Sequence, residues 1–189
     1  MAAGDRRRLP FVQGVIGGVT AWLVGYVLTY LIVAGEIRES PLQRVLEALE
    51  GEPATYEMVG WVFYNVHFVE TVFRDVPLLG SYATSYVGGE DGFTVALYAV
   101  PPATLLAAGL ALATYRRVRT ATEGALVGLT VVPGYLLASI VGVFLFEVTV
   151  GPASGAPEMI PAIAIAGIAY PAVFAGGGGA VAAIRSGRS

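Results

Sequence analysis

FVQGVIGGVTAWLVGYVLTYLIVA, residues 11–34, runs for twenty-four residues without an Asp, Glu, Lys, Arg or His. At about 1.5 Å per helical residue this exceeds the roughly 30 Å of a bilayer's hydrocarbon core. Three more stretches share its character: residues 93–115, 125–146 and 160–184. None alternates in the manner of a barrel strand, and in lipid only helices and closed barrels satisfy their own backbone groups, so each reads as a helix. The composition agrees, since 56% of the 189 residues are hydrophobic and 13% are charged, with mean hydropathy +0.70. Soluble domains carry roughly 25% charged residues. The expected class is an all-α integral membrane protein forming one membrane domain over residues 1–189. Its expected form is a four-transmembrane-helix bundle with an extracytoplasmic cap of two amphipathic helices over residues 35–92.

The charges orient the bundle. Arg6, Arg7 and Arg8 precede the first run, Arg116, Arg117 and Arg119 separate the second from the third, and Arg185 and Arg188 follow the fourth. Basic residues near span ends stay cytoplasmic, so the N-terminus and the C-terminus are both expected inside a cell membrane. Arg38, Arg44 and Arg74 lie among ten carboxylates in residues 35–92, which carry a formal charge of −7 and are expected outside. The first apolar run is longer than the about 7–15 residues of a cleaved signal peptide's core, so it reads as a retained span. Cysteine and lysine are absent and the net charge is −3. Disulfides, thiolate metal sites and nucleic-acid binding therefore have no support.

Within the cap, Ser40-Pro41-Leu42-Gln43 reads as a capping box that starts a helix, with Gly51 as its stop. Leu42, Val45, Leu46 and Leu49 form its apolar stripe, and Gln43, Arg44, Glu47 and Glu50 should point away from it. A second helix is expected from about Tyr56 to Arg74, interfacial or re-entrant, rich in aromatic side chains. It holds the candidate interaction or polar site: Trp61, Tyr64, Asn65, His67 and Glu70. His67 and Glu70, three apart, would share a helix face. A metal needs three or four ligands and this chain has one histidine, so a structural pair is the plainer reading. No catalytic, cofactor-binding or metal set is identified, and no cofactor is called for.

Val59-Gly60-Trp61-Val62-Phe63-Tyr64-Asn65-Val66-His67-Phe68-Val69, with Pro101-Pro102 in the next span, resembles a functionally uncharacterised family of small multi-pass membrane proteins of haloarchaea. Some of its members are labelled transporters on hydropathy alone. The resemblance implies a haloarchaeal cell membrane and supplies no catalytic or binding residues. The acid-rich, lysine-free composition points to the same habitat. In high salt those carboxylates would serve solubility, with a cation-collecting vestibule as the sharper reading.

The spans hold no ionisable acid or base near their centres, which speaks against a proton-coupled pump. Pro101, Pro102, Pro133 and Pro171 fall about midway along their spans and would each remove one hydrogen bond to the carbonyl four residues earlier, on Leu97, Tyr98, Leu129 and Gly167. With Tyr98, Tyr135 and Tyr170 they form a candidate midplane site; packing kinks are the alternative. Small residues spaced by four, such as Gly14 and Gly18 or Gly124 and Gly128, suit close helix contact within the bundle or with another copy. The lipid bilayer is the first expected partner, followed by a homo-oligomer or a membrane protein. The function expected is a non-enzymatic accessory, assembly or interaction component acting through its acidic, aromatic cap. The alternative is a small transporter or channel-like oligomer with a midplane site at proline-broken helices.

Overall fold

The structure, a computed structural model, describes residues 9–89 and 92–186. Four helical columns in it are long and apolar enough to cross a membrane: Phe11–Glu39, Val95–Tyr115, Ala121–Leu145 and Met159–Arg185. Helix α1 (Phe11–Glu39) is the first. The second begins as a 3-10 turn (Val95–Ala99) and continues as α4 (Val100–Tyr115), after helices α2 (Pro41–Glu50) and α3 (Thr55–Asn65) of the cap. The third is α5 (Ala121–Leu129) followed by α6 (Val132–Leu145). The fourth comprises α7 (Met159–Pro161), a π-helical stretch (Ala162–Ala169) and α8 (Tyr170–Ser186).

Side-chain size is sorted inside out. Gly14, Gly18, Ala21 and Gly25 of α1 face the bundle, while Val12, Ile16 and Leu31 are exposed. Water would penalise that exposure, whereas hydrocarbon does not. The buried glycines let backbones touch. A Cβ on Gly109 would lie 1.9 Å from the carbonyl oxygen of Ala175, and one on Gly128 would lie 2.1 Å from the same oxygen, so α8 packs directly on α4 and α5. Gly14 and Gly18 meet Thr130 and Val131 in the same way, and Gly142 meets Trp22, so α1 and the third column run in the same direction. The four-residue small motifs are thus largely used within one chain.

The cap departs from the expected pair of amphipathic helices. Helix α2 (Pro41–Glu50) starts and stops as its sequence requires: the Ser40 hydroxyl accepts the Gln43 N–H at 3.2 Å, and Gly51 closes it at φ 80°. Its inward face, however, is Gln43 and Leu46, and Val45 and Leu49 are exposed. The expected helix over residues 56–74 ends early. Helix α3 (Thr55–Asn65) is buried throughout Met58–Asn65, and the chain then turns and returns as strand β1 (Thr71–Val76). Val69, Thr71 and Phe73 point inward while Glu70 and Arg74 face out, an alternation that suits a strand edge to edge with others.

β1 pairs antiparallel with β2 (Gly80–Thr84) on one side and with β4 (Ala153–Pro157) on the other, and β4 also pairs with β3 (Val148–Val150). The order is β2-β1-β4-β3, with Thr71 opposite Pro157 and Arg74 opposite Ser154. The small sheet corrects the all-α expectation. It also joins residues 71–84 to residues 148–157, which places the two longer connections at one end of the bundle.

Candidate functional site

Helix α3 is the element that positions the site. Trp61 donates its indole N–H to the Phe146 carbonyl at 2.7 Å, at the end of α6. One turn on, the Tyr64 hydroxyl donates to the Ser139 carbonyl. One turn further, His67 reaches Tyr135. The partners fall back along the third column as the numbers rise along α3, so this helix descends antiparallel into the bundle from the capped end. At about 1.5 Å per residue, the descent from Trp61 to Asn65 and its turn carries the tip well below the column ends. The tip of α3 thus lies inside the bundle, level with Tyr135 of the third column.

His67 sits at the tip, wholly buried. Its Nδ1 lies 2.7 Å from the Phe63 carbonyl, which can only accept, so Nδ1 carries the proton. Nε2 is then the acceptor for the Tyr135 hydroxyl at 2.7 Å. Burial pushes the imidazole down to about 4, opposed in part by its bond to the Phe63 carbonyl, so it is neutral at pH 7. Burial likewise raises the Tyr64 phenol above its ordinary range. Tyr170 packs its ring 4.9 Å from the imidazole and donates its hydroxyl to the Val66 carbonyl at 3.3 Å. Asn65 ties the turn closed: its amide N–H donates to the Val69 carbonyl at 2.8 Å, and its Oδ1 accepts the Tyr86 N–H at 2.8 Å. Phe68, at φ 59° and exposed, stacks on Tyr98 at 4.7 Å.

Two groups that the sequence kept apart are therefore one. His67 from the cap meets Tyr135 and Tyr170 from the long columns, with Tyr64 beside it and Tyr98 against Phe68, while Trp61 and Asn65 hold α3 and its turn in place. Glu70 does not join them. The helix ends before it, its side chain is exposed, and only its carbonyl is engaged, by the Glu158 N–H at 2.9 Å. The shared helix face expected for His67 and Glu70 is absent because residues 66–69 turn.

Each proline of the candidate midplane site falls within the first turn after a break or a change of helix type inside its column, where its missing N–H costs little. Pro101 and Pro102 lie in the first turn of α4, Pro133 is second in α6, and Pro171 is second in α8. The Leu97 carbonyl accepts the Val100 N–H. At the α5–α6 break the Thr130 hydroxyl donates to the Val127 carbonyl at 2.6 Å.

Sequence reasoning passed over Ser139, Thr71 and Phe63. Ser139 takes part through its backbone carbonyl, which no side-chain signal in the sequence announces. The imidazole itself is fully engaged, Nδ1 by the Phe63 carbonyl and Nε2 by the Tyr135 hydroxyl, whereas the buried Ser139 hydroxyl and Trp22 indole N–H beside Tyr64 have no hydrogen-bond partner among the described residues. A solute could touch the imidazole only if the tip moved.

Among known proteins, a family described as a family of unknown function (DUF7978) matches residues 1–186. No curated protein and no solved structure matches.

Proposed function

We propose, for a chain that belongs to that family of unknown function, a role as a non-enzymatic accessory or assembly component of the cell membrane that engages its partner through the cap. The observation that carries this reading is an apolar groove of about 420 Å³ between α2 and the sheet, walled by Val45, Leu49, Phe73, Val76 and Pro152. Beside it the β1–β2 turn holds Leu78 fully exposed at φ 69°, where glycine or asparagine would cost less. Apolar surface of this kind on a segment of charge −7 favours protein contact.

The outward-facing Val12, Ile16 and Leu31 support insertion in lipid, and the distribution of arginines supports cytoplasmic termini. The acid-rich, lysine-free composition supports a halophilic archaeal source. Purification in mild detergent tests the accessory role. The wild-type chain should bring down a second copy or a stable companion, and Val45→Asp or Leu49→Asp should release it while the chain stays folded. A wild-type chain that purifies alone as a monomer, or a companion indifferent to both variants, counts against the reading.

A second reading, a small transporter, draws on one observation. Three of the four columns are interrupted or change helix type near the tip of α3: Tyr98 lies in the 3-10 turn, Tyr135 follows the α5–α6 break, and Tyr170 follows the π-helical stretch. Solute flux in proteoliposomes that disappears in Tyr135→Phe would favour it over the accessory role.

A further inference from the structure

A second cavity, of about 230 Å³, lies where α1 bends into α2, across from the residues that follow β2. Buried Met58 and Trp61 close its floor, the half-buried rings of Tyr86 and Phe93 wall it, and Ser40 and exposed Glu36 stand at its edge. Among the described residues its lining holds one carboxylate and no arginine. We propose that this cavity binds a small organic ammonium cation.

The chemistry narrows the ligand by elimination. An anion would meet the Glu36 carboxylate with no positive group to offset it. A hydrated metal ion needs several oxygen ligands, and a single carboxylate beside aromatic rings does not supply them. A sugar needs more hydrogen-bonding groups than this apolar lining offers. An ammonium group with alkyl substituents suits all of it: the methyl groups fill apolar space, the half-buried aromatic rings of Tyr86 and Phe93 offer a surface that favours a cation, and the carboxylate balances the charge.

The walls are fixed in advance, so little ordering cost falls on binding. The Trp61 N–H is committed to the Phe146 carbonyl, the Tyr86 ring stacks over Trp61 at 6.3 Å and 15°, and the Tyr86 backbone is held by Asn65. The cap's formal charge of −7 also gathers cations around the opening. The cavity borders the groove that carries the proposed function and shares Leu42 and Trp61 with it, but Glu36, Tyr86 and Phe93 line the cavity alone and Val45 and Leu49 the groove alone, so variants at those positions let either proposal fail without the other.

Choline is the probe, with 3,3-dimethylbutanol as its uncharged isostere, and the full chain in detergent is the sample. Equilibrium dialysis with labelled choline gives the affinity, and Trp61 emission reports occupancy of the floor. Choline should bind saturably, the isostere at least about tenfold more weakly, and Glu36→Gln should lose a similar factor. Tyr86→Leu should weaken binding as well. Glu36 is exposed, so its variant tests charge without disturbing the core. The proposal is overturned by an absence of saturable choline binding, by equal binding of the isostere, or by an affinity that Glu36→Gln leaves unchanged.

Discussion

At the scale of single residues, His67 concentrates the chemistry of the buried node. Its imidazole is neutral when folded and pushed down to about 4 by burial, whereas an exposed histidine titrates near 6.5. Between those values the unfolded chain binds a proton that the folded chain refuses, so stability is complete above about pH 6.5 and falls as pH drops toward 4, by up to about 3 kcal/mol. Unfolding measured in detergent at several pH values should show this slope, and His67→Gln should flatten it, because the carboxylates titrate in both proteins. Identical slopes would mean that the imidazole is not held neutral. Tyr135→Phe tests the same contact from the other side. It leaves Nε2 without a donor in a dry site, and should cost about 1–3 kcal/mol at pH 7. The sequence marked His67, Tyr64, Asn65 and Tyr135 as worth watching, since polar groups are rare in such a chain. It did not pair them, because His67 and Tyr135 are 68 positions apart and no local rule links them.

At the scale of elements, local chemistry decided some boundaries and neighbours decided others. The Ser40 cap, Pro41 and Gly51 set α2 from within. Helix α3 carries no such stop: it ends because Asn65 hydrogen-bonds its own turn and the Tyr86 backbone, and because β4 offers an edge to residues 71–74. Thr71-Val72-Phe73 had the β-branched and aromatic character of a strand, but the helical spacing of Val59, Val62, Phe63 and Val66 ran straight into it. One position of α2 departs from its sequence reading: Gln43, expected to point away from the apolar stripe, is buried. An apolar stripe predicts that a helix will bury that face, and here a groove leaves Val45 and Leu49 open while Gln43 turns inward. Helix contacts at glycine give a sharp test. Gly128→Ala would place a methyl 2.1 Å from the Ala175 carbonyl oxygen and should destabilise by about 1–3 kcal/mol or more. Gly35→Ala has nothing within 4 Å, and in a helix it should stabilise by about 0.5–1 kcal/mol. Thermal unfolding of the two variants should shift in opposite directions; shifts of the same sign would contradict the packing of α5 on α8.

At the scale of the whole molecule, the sheet joins the two longer connections, so the cap gathers at one end and the 116–120 turn lies at the other. Cysteines introduced at Ser81 and Arg119, in a chain that has none of its own, test whether those ends face opposite sides of a membrane. An impermeant reagent should reach Ser81→Cys in intact cells and Arg119→Cys only after lysis. Labelling of both from outside would refute the orientation drawn from the arginines. The sequence by itself determined the four long apolar helices, their boundaries to within a few residues and the separation of charge between the two ends. Those are local properties: a long run of apolar residues without charge forms a helix that satisfies its own backbone, as any stretch able to cross hydrocarbon must. Only the tertiary structure decided that α3 enters the bundle, that a four-stranded sheet closes the cap, and that one histidine meets tyrosines from two spans. Each depends on partners distant in the chain, and a side chain's burial is set by what packs against it rather than by its neighbours in sequence.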